Sequence, residues 1–461
     1  MNKTKKLAGL IVCLLLTSGA SAENLLDIYR QALLTDPGIR EAIANREAEL
    51  QKKPQARGLL LPQIDANASW SDTNSEGKRI NSFGGQNQLT IFDNDTDGWS
   101  WDVQLSQTLF RWDQWVTLKK ADKQVAKAEA DYMAAQQDLI VRVASTYFDV
   151  LGAQKTLESE QAAKEAIGRQ LEQAKKRFEV GLIAITDVQE AQSGYDQAVA
   201  AEIVAKRNLA NSKELLREIV GRFDSNLQAP KQEIPLLSPV PADEEQWVET
   251  AIRKNPNALS AELDAEIARD DKRVAKSGFY PTVDLIASYT DLNIDGTGTA
   301  TGQNTTSTGP IGTDSQDEQI EVRFSLPIFA GGNTSAKVKE ATYRQRAARE
   351  RFEKAVRQTK RETRDAYLGV ISEISRVKAL KQALSSAETA LKATEAGYDV
   401  GTRTTVDVLD ARRQVFLADV NYARSRYDYI VNTLKLKQAA GSLSARDIAE
   451  VNDWLELAAA Q

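Results

Sequence analysis

The chain has 461 residues, with 59 Lys and Arg against 65 Asp and Glu, 42% hydrophobic residues, no His and one Cys. Without His there is no imidazole base, no His-bearing zinc site and no Ser-His-Asp triad. A net charge of −6 without a basic block argues against nucleic acid as a partner. Residues 1–22 read as a secretory signal: Lys3, Lys5 and Lys6 form a basic n-region, Leu7 to Leu16 an apolar stretch, and Ala20-Ser21-Ala22 a small-residue cleavage site. Cys13 lies inside that stretch, so the exported chain is expected to carry no thiolate and no disulfide. Losing three Lys leaves 59 − 3 = 56 bases against 65 acids, a balance of −9 from Glu23 onward. No later stretch approaches the roughly 18 uncharged apolar residues of a membrane helix. Export then leaves a soluble periplasmic, a secreted or an outer-membrane protein.

A first helix is expected before Pro37, in NLLDIYRQALLTDP from Asn24. Pro62 opens a strand in which Ile64, Ala66, Ala68 and Trp70 alternate with Gln63, Asp65, Asn67, Ser69 and Ser71. Asp72 to Gly98, rich in Gly, Asn, Asp and Thr, reads as a long polar loop. Trp99, Trp101, Val103 and Leu105 then alternate with polar residues as a second strand. There is no Pro between Pro62 and Pro230, so Trp112 to Val180 reads as one helix, about 100 Å if straight. Gly181 marks a sharp turn into a further helix. The Pro-rich segment 229–242, with Pro230, Pro235, Pro239 and Pro241, is a linker.

The same order then returns. EQWVETAIRKNP ends at Pro256, 256 − 37 = 219 residues after Pro37, and Pro62 to Trp70 matches Pro281 to Tyr289 at the same offset. Val103, Ser106 and Phe110 match Val322, Ser325 and Phe329, also at 219. Tyr147 and Val150 match Tyr367 and Val370, Phe178 to Gly181 matches Tyr398 to Gly401, and Gly221 matches Gly441, all at 220. Strands are expected at Val283 to Tyr289 and at Ile320 to Ile328, with a polar loop from Thr290 to Glu318 between them. A second very long helix runs from Asn333 to Val400, with a stripe at Thr363, Ala366, Val370, Ile374, Val377, Leu380, Leu384, Ala387 and Leu391 that keeps the coiled-coil period. The expected organisation is a signal at 1–22, a first repeat at 23–228, the linker at 229–242, a second repeat at 243–443 and a C-terminal segment at 444–461, mainly α with β.

Strands with one apolar and one polar face suit a barrel wall with lipid outside and water inside. Trp70, Trp99, Trp101, Trp112 and Trp115, five of the seven Trp, fall at or beside these strands, as in an interfacial girdle. A soluble sheet packed on helices would alternate in the same way. In lipid, four strands leave intolerable edges, and barrels begin at about eight strands, so two, three or four copies would be needed. Pattern alone does not choose among them.

Two matched turns end the long helices, Val180-Gly181-Leu182 and Val400-Gly401-Thr402. After the second, Asp407 and Asp410 are three apart and share a helix face; Asp187 and Glu190 occupy the matching places in the first repeat. Three readings compete for these acids: a ring of charge, compensation of the helix macrodipole, or a glycosidase-like acid pair. Asp93 to Gly98 and Asp291 to Gly296 match the start of a Ca²⁺ loop but lack its last Glu, with Gln104 and Gly302 standing there, and read as turn chemistry. Gly331-Gly332 reads as a strand-to-helix corner without a phosphate-loop pattern.

Pro62 with its alternating strand, FSLPIFAGG from Phe324 to Gly332, RFEVGLIAITDV from Arg177 to Val188 and GYDVGTRTTVDVLD from Gly397 to Asp410 together resemble the TolC family of outer-membrane export channels, from about Glu23 to Leu443. The resemblance implies a homotrimer, with four strands per protomer in a 12-stranded outer-membrane β-barrel that continues into a long periplasmic α-helical coiled-coil barrel. It implies a passive exit duct without enzymatic activity or cofactor, for multidrug efflux and type I protein secretion. Its partners would be outer-membrane lipid, a periplasmic adaptor and an inner-membrane transporter of RND, ABC or MFS type, and its substrates drugs, bile salts or proteins. It places the channel constriction at Asp407 and Asp410. It implies a latch in which Tyr398 and Arg403 tie the inner helix pair to a neighbour through Thr186 and Asp187. It puts adaptor docking at Gly181, Leu182, Gly401 and Thr402, where the glycines could also serve the turns alone. A trimeric surface adhesin or structural coiled coil also explains export and long helices, but needs no duplicated half with matching turns.

Overall fold

The structure, a computed structural model, describes residues 23–83, 86–223, 226–231, 233–302 and 305–456. The expected signal with Cys13 and the last five residues of the C-terminal segment lie outside the described residues. In chain order the elements are α1 (Leu25–Thr35), α2 (Pro37–Leu50), α3 (Lys52–Gly58), β1 (Gln63–Phe83), β2 (Gln86–Phe110), α4 (Trp112–Glu179), α5 (Ile185–Val220), β3 (Ala229–Pro230), α6 (Glu244–Lys254), α7 (Pro256–Ser277), β4 (Thr282–Thr301), β5 (Thr306–Ser325), α8 (Asn333–Asp399), α9 (Thr405–Ala439), α10 (Ala445–Asn452) and β6 (Leu455–Glu456). Both very long helices are present, at 68 and 67 residues. No helix among the described residues is long and apolar enough to cross a membrane.

The chain forms two compact units. One gathers Asp131–Ala258 with the chain up to Ala44 and from Val356 on; the other holds Asn45–Ala130 and Leu259–Ala355. Each unit therefore takes pieces of both sequence repeats.

The second unit carries the sheet, antiparallel in the order β1-β2-β4-β5. The alternation falls into register across it: Ile64 pairs with Leu105, Leu105 with Ala287 and Ala287 with Ile320, so the apolar sides line up on one face. On the same face Trp70 pairs with Trp99, and the rings of Trp101 and Tyr289 lie 5.2 Å apart. Ile64 is 68% and Ile320 82% exposed in the protomer, so no helix of this unit covers that face, as a soluble sheet would require. The helical part of the unit is pinned by ion pairs, Lys123 to Asp270 at 2.6 Å and Arg46 to Glu129 at 2.8 Å.

The expected polar loops are strands. Asp72 to Phe83 and Gln86 to Gly98 continue β1 and β2, paired from Asp72↔Asp97 to Phe83↔Gln86, and Thr290 to Thr301 and Thr306 to Glu318 continue β4 and β5. Apolar residues there, such as Ile80, Leu89 and Ile91 in the first pair and Ile294 and Ile311 in the second, are too sparse to give a sustained period to read, yet the backbones still satisfy a ladder. The Ca²⁺-loop look-alikes are then mid-strand and lie beside each other, with Asp97 opposite Asp295 and Thr96 opposite Gly296, which also removes the turn reading. At the other end β5 stops at Ser325, so Leu326 and Ile328 lie beyond the strand expected to contain them.

The first unit has a continuous apolar core. Leu25, Ile28 and Ala32 of α1 meet Leu139, Val143 and Tyr147 of α4, Ile430 and Leu434 of α9, and Ile448 of α10. Each buried Leu, Ile or Val among them contributes about 1.5–3 kcal/mol by leaving water. Asn24 caps α1 by accepting from the Asp27 N–H at 2.9 Å. The Tyr147 hydroxyl donates to the Gln228 carbonyl at 2.6 Å, fastening the chain just before the linker to α4. Asp36 is buried; burial alone would raise its carboxyl, but Arg142 and the Ile39 N–H hold it below its ordinary value. The expected stripe on α8 is buried at Thr363, Val370, Ile374 and Val377 and half-buried from Leu380 to Leu391.

Candidate functional site

Two helix hairpins, α4–α5 and α8–α9, end in turns of the same construction. After α4, the Gly181 N–H donates to the Phe178 carbonyl and the Leu182 N–H to the Arg177 carbonyl, both at 2.9 Å. After α8, the Gly401 N–H reaches the Tyr398 carbonyl at 3.0 Å and the Thr402 N–H the Gly397 carbonyl at 2.8 Å. This is the Schellman arrangement, which requires a left-handed residue at its centre. Gly181 and Gly401 supply it, with φ of 76° and 78°.

The helices after the turns begin in parallel fashion. Thr404 caps α9: its hydroxyl accepts from the Asp407 N–H at 3.2 Å, while the Asp407 carboxylate accepts from the Thr404 N–H at 2.8 Å and from its hydroxyl at 2.9 Å. This is a capping box with Asp in place of Glu. The N–H and hydroxyl of Thr404 hold the Asp407 carboxyl below its ordinary value, and the charge of Arg403 acts in the same sense. At α5 only half the box exists, because Ala184 has no side-chain acceptor; its N–H donates to Asp187 at 3.3 Å. Around each turn the burial sequence is the same: Asp187 and Asp407 half-exposed, Val188 and Val408 buried, Glu190 and Asp410 exposed.

Small apolar contacts build the tip. Leu171, Ala174 and Ala191 form a buried cluster with Ile183 and Tyr195 against it. A Cβ on Gly194 of α5 would stand 3.8 Å from Leu409 of α9, so the two hairpins lie side by side within one protomer. Arg412 pairs with Glu395 at 2.8 Å to close the second hairpin.

The structure places the expected site residues as follows. Asp407 and Asp410 share the first two turns of α9, Asp407 tied into its cap and the Asp410 carboxylate without a hydrogen bond among the described residues. Thr186 and Asp187 open α5, Tyr398 ends α8, and Arg403 lies in the turn. Within the protomer Tyr398 does not bond Thr186 or Asp187. Its hydroxyl accepts from Nη1 of Arg177 at 2.8 Å, and the Arg177 guanidinium lies 4.9 Å from its ring centroid. Arg403 forms no side-chain bond to Thr186 or Asp187 among the described residues of one protomer. Leu182 is 73% exposed at the first turn, and Gly181, Gly401 and Thr402 are exposed with it. Arg177 is the residue that pattern reading missed, since its partner is 221 positions away. The signal that finds it is a break in the repeat: at the 220-residue offset Arg177 faces Gly397, Phe178 faces Tyr398 and Ile183 faces Arg403.

The model of the family described as outer membrane efflux protein matches residues 28–222 and again 247–442, in step with the two repeats. Outer membrane protein TolC of Vibrio cholerae is 38% identical over 443 residues, 96% of each chain, and TolC of Escherichia coli K12 is 37% identical over 98% of this chain and 89% of its own. The alkaline protease secretion protein AprF of Pseudomonas aeruginosa is 29% identical over 94% of this chain and 88% of its own. The crystal structure of the Campylobacter jejuni CmeC outer membrane channel shares the fold, with a TM-score of 0.72 over 94% of this chain and 90% of that one at 20% identity. With its duplicated unit, amphipathic sheet and paired tip turns, the chain belongs to the TolC family of outer membrane efflux proteins.

Proposed function

We propose that three copies of this chain form a passive outer-membrane exit duct for efflux pumps and type I secretion. The observation that carries this reading is the connection of two extreme elements. Each strand pair, apolar on one uncovered face, leads through a short corner into a helix of 67 or 68 residues that ends in an acidic-flanked tip turn. Lipid covers the apolar face, and the long helices wall the passage. The family's description as outer membrane efflux proteins and the name of the secretion protein AprF support efflux and secretion together. An adaptor docks on the exposed tips at Gly181, Leu182, Gly401 and Thr402, and an RND, ABC or MFS transporter feeds the duct.

In this reading threefold symmetry gathers the Asp407 and Asp410 carboxylates into one ring, which attracts cations and repels anions. Arg403 and Tyr398 of one protomer latch onto Asp187 and Thr186 of the next. Charge-assisted bonds of this kind contribute about 1.5–3 kcal/mol each, enough to keep a tube shut and little enough for a docking partner to open it.

The test is electrical. Asp407→Asn with Asp410→Asn is expected to move the reversal potential in a salt gradient toward zero and to abolish block by multivalent cations in planar bilayers. Unaltered reversal potentials would reject the ring. In a strain lacking the gene, Leu182→Asp is expected to fail to restore resistance to dyes and bile salts while still assembling; full resistance would remove Leu182 from the docking surface.

A further inference from the structure

We infer that Arg177 is a positioning residue of the gate, an inner clasp that joins the two hairpins of a single protomer through Tyr398; the inference rests on the gate reading above. A cation in the last turn of a helix is ordinarily explained by the macrodipole alone, and Arg177 stands in the last turn of α4. Its geometry goes further than that. One guanidinium nitrogen donates to the Tyr398 hydroxyl at 2.8 Å, and the guanidinium carbon lies 4.9 Å from the ring centroid, so the phenol is held by a hydrogen bond and a cation–π contact together. Both side chains are half-buried, which strengthens each contact relative to water.

The inventory of donors fixes the direction. Arginine has only donors, so the phenol oxygen is the acceptor. The single Tyr398 O–H proton is then left to donate elsewhere, outward from Arg177. Asp187 uses Oδ2 to accept from the Ala184 N–H, and its other oxygen has no bond among the described residues of the protomer. Arg177 therefore presents Tyr398 as a donor, the form in which a latch to a carboxylate or hydroxyl needs it.

The broken repeat supports the assignment. At 177 the first repeat has Arg, and at the matching 397 the second has Gly. A Cβ on Gly397 would sit 2.8 Å from Cγ of Arg403 and 3.2 Å from Oγ1 of Thr402, so the glycine makes room for the Arg403 stem. In return Arg403 stands where the first repeat has Ile183. Each tip keeps one arginine at a different place: Arg177 reaches the partner hairpin of its own protomer, and Arg403 is left for another. Opening the tube by swinging one hairpin away from the other must break the Arg177–Tyr398 contact.

The test uses the full-length protein, purified as its assembled oligomer in planar bilayers. Arg177→Met keeps the stem and removes the donors, and is expected to raise the open-to-closed ratio by about tenfold for each protomer, the loss of one charge-assisted bond in each. Its reversal potential should be unchanged, because Arg177 does not line the acidic ring. Tyr398→Phe should open the channel at least as far, since it removes both the acceptor of the clasp and the O–H that reaches the neighbour, and the double variant should open it no more than Tyr398→Phe alone. Arg177→Lys, which restores the charge, should recover part of the closed state and serves as the readout if Arg177→Met assembles poorly. If Arg403→Ser opens the channel but neither Arg177 variant does, or if the Arg177 and Tyr398 effects simply add, Arg177 is only a helix-end charge and the clasp is wrong while the gate stands. If Arg403→Ser also leaves conductance unchanged, the gate reading itself fails.

Discussion

Asp407 accepts from both the backbone N–H and the hydroxyl of Thr404, and it belongs to the acid pair proposed to line the constriction. The macrodipole and ring readings of the sequence are thus compatible: the cap fixes the orientation of a carboxylate that symmetry can put to use. The cap also has a consequence for pH. Asp407 is held below its ordinary value, so its stabilising contribution is fully present above the usual carboxyl range and fades only as pH falls through the lowered value of the folded state. Thr404→Val removes the hydroxyl contact and the side-chain cap. It is expected to cost about 0.5–2 kcal/mol in the first turn of α9. Block by multivalent cations should then be lost at a higher pH in the variant than in the parent. Coincident pH profiles would show that the cap does not set the charge of Asp407. The spacing of Asp407 and Asp410 was legible because three residues along a helix define a face. The contact of Tyr398 with Arg177 was not, because no local period encodes a pairing between two hairpins.

At the scale of elements, helices were easier to read than strands. The stripe from Thr363 to Leu391 and the absence of Pro announced α8, and the structure extends it over 67 residues. The strands were legible only while one face was apolar. Beyond Trp70 and before Trp99 the alternation thins to isolated residues such as Ile80, Leu89 and Ile91, yet pairing continues to Phe83 and Gln86. What holds that polar stretch together includes the close approach of backbones at glycine. A Cβ on Gly98 would lie 2.5 Å from the Asn293 carbonyl oxygen and 2.8 Å from Cα of Ile294; one on Gly296 would run into the backbone of Asp95 and Thr96. Gly309 in β5 has open space instead. Gly98→Ala is therefore expected to destabilise the sheet by about 1–3 kcal/mol through overpacking, while Gly309→Ala stays within about 0.5 kcal/mol of the parent. Thermal unfolding of the detergent-extracted oligomer, read as the temperature at which it runs as monomer on a gel, separates the two. Equal midpoints would mean that the strands can part at Gly98 without loss.

For the whole molecule, duplication was legible and compactness was not. The family model matches twice along the repeats, whereas the compact units cut across them because α4 and α8 each run through both. A helix that crosses a unit boundary leaves no mark in hydrophobic period, so sequence divides the chain by ancestry and the structure divides it by packing. The sheet raises the question of closure. β1 and β5 are its edges, 21 and 20 residues long, and each has one side without a partner strand among the described residues. Unpaired backbone groups are not tolerated in lipid. Edges of matched length can satisfy each other when β1 of one copy pairs with β5 of the next, and three copies of four strands give the proposed 12. Because the only Cys lies at position 13, inside the expected signal, introduced thiols can report this without background. A series combining one Cys in β1 with one Cys in β5 is expected to yield, for the pair that falls in register, a covalent ladder that stops at three chains upon oxidation in outer membranes. Either Cys alone should give no ladder. A ladder ending at two or four chains would replace the 12-stranded barrel with one of 8 or 16 strands, and a crosslink confined to single chains would mean that the sheet closes on itself.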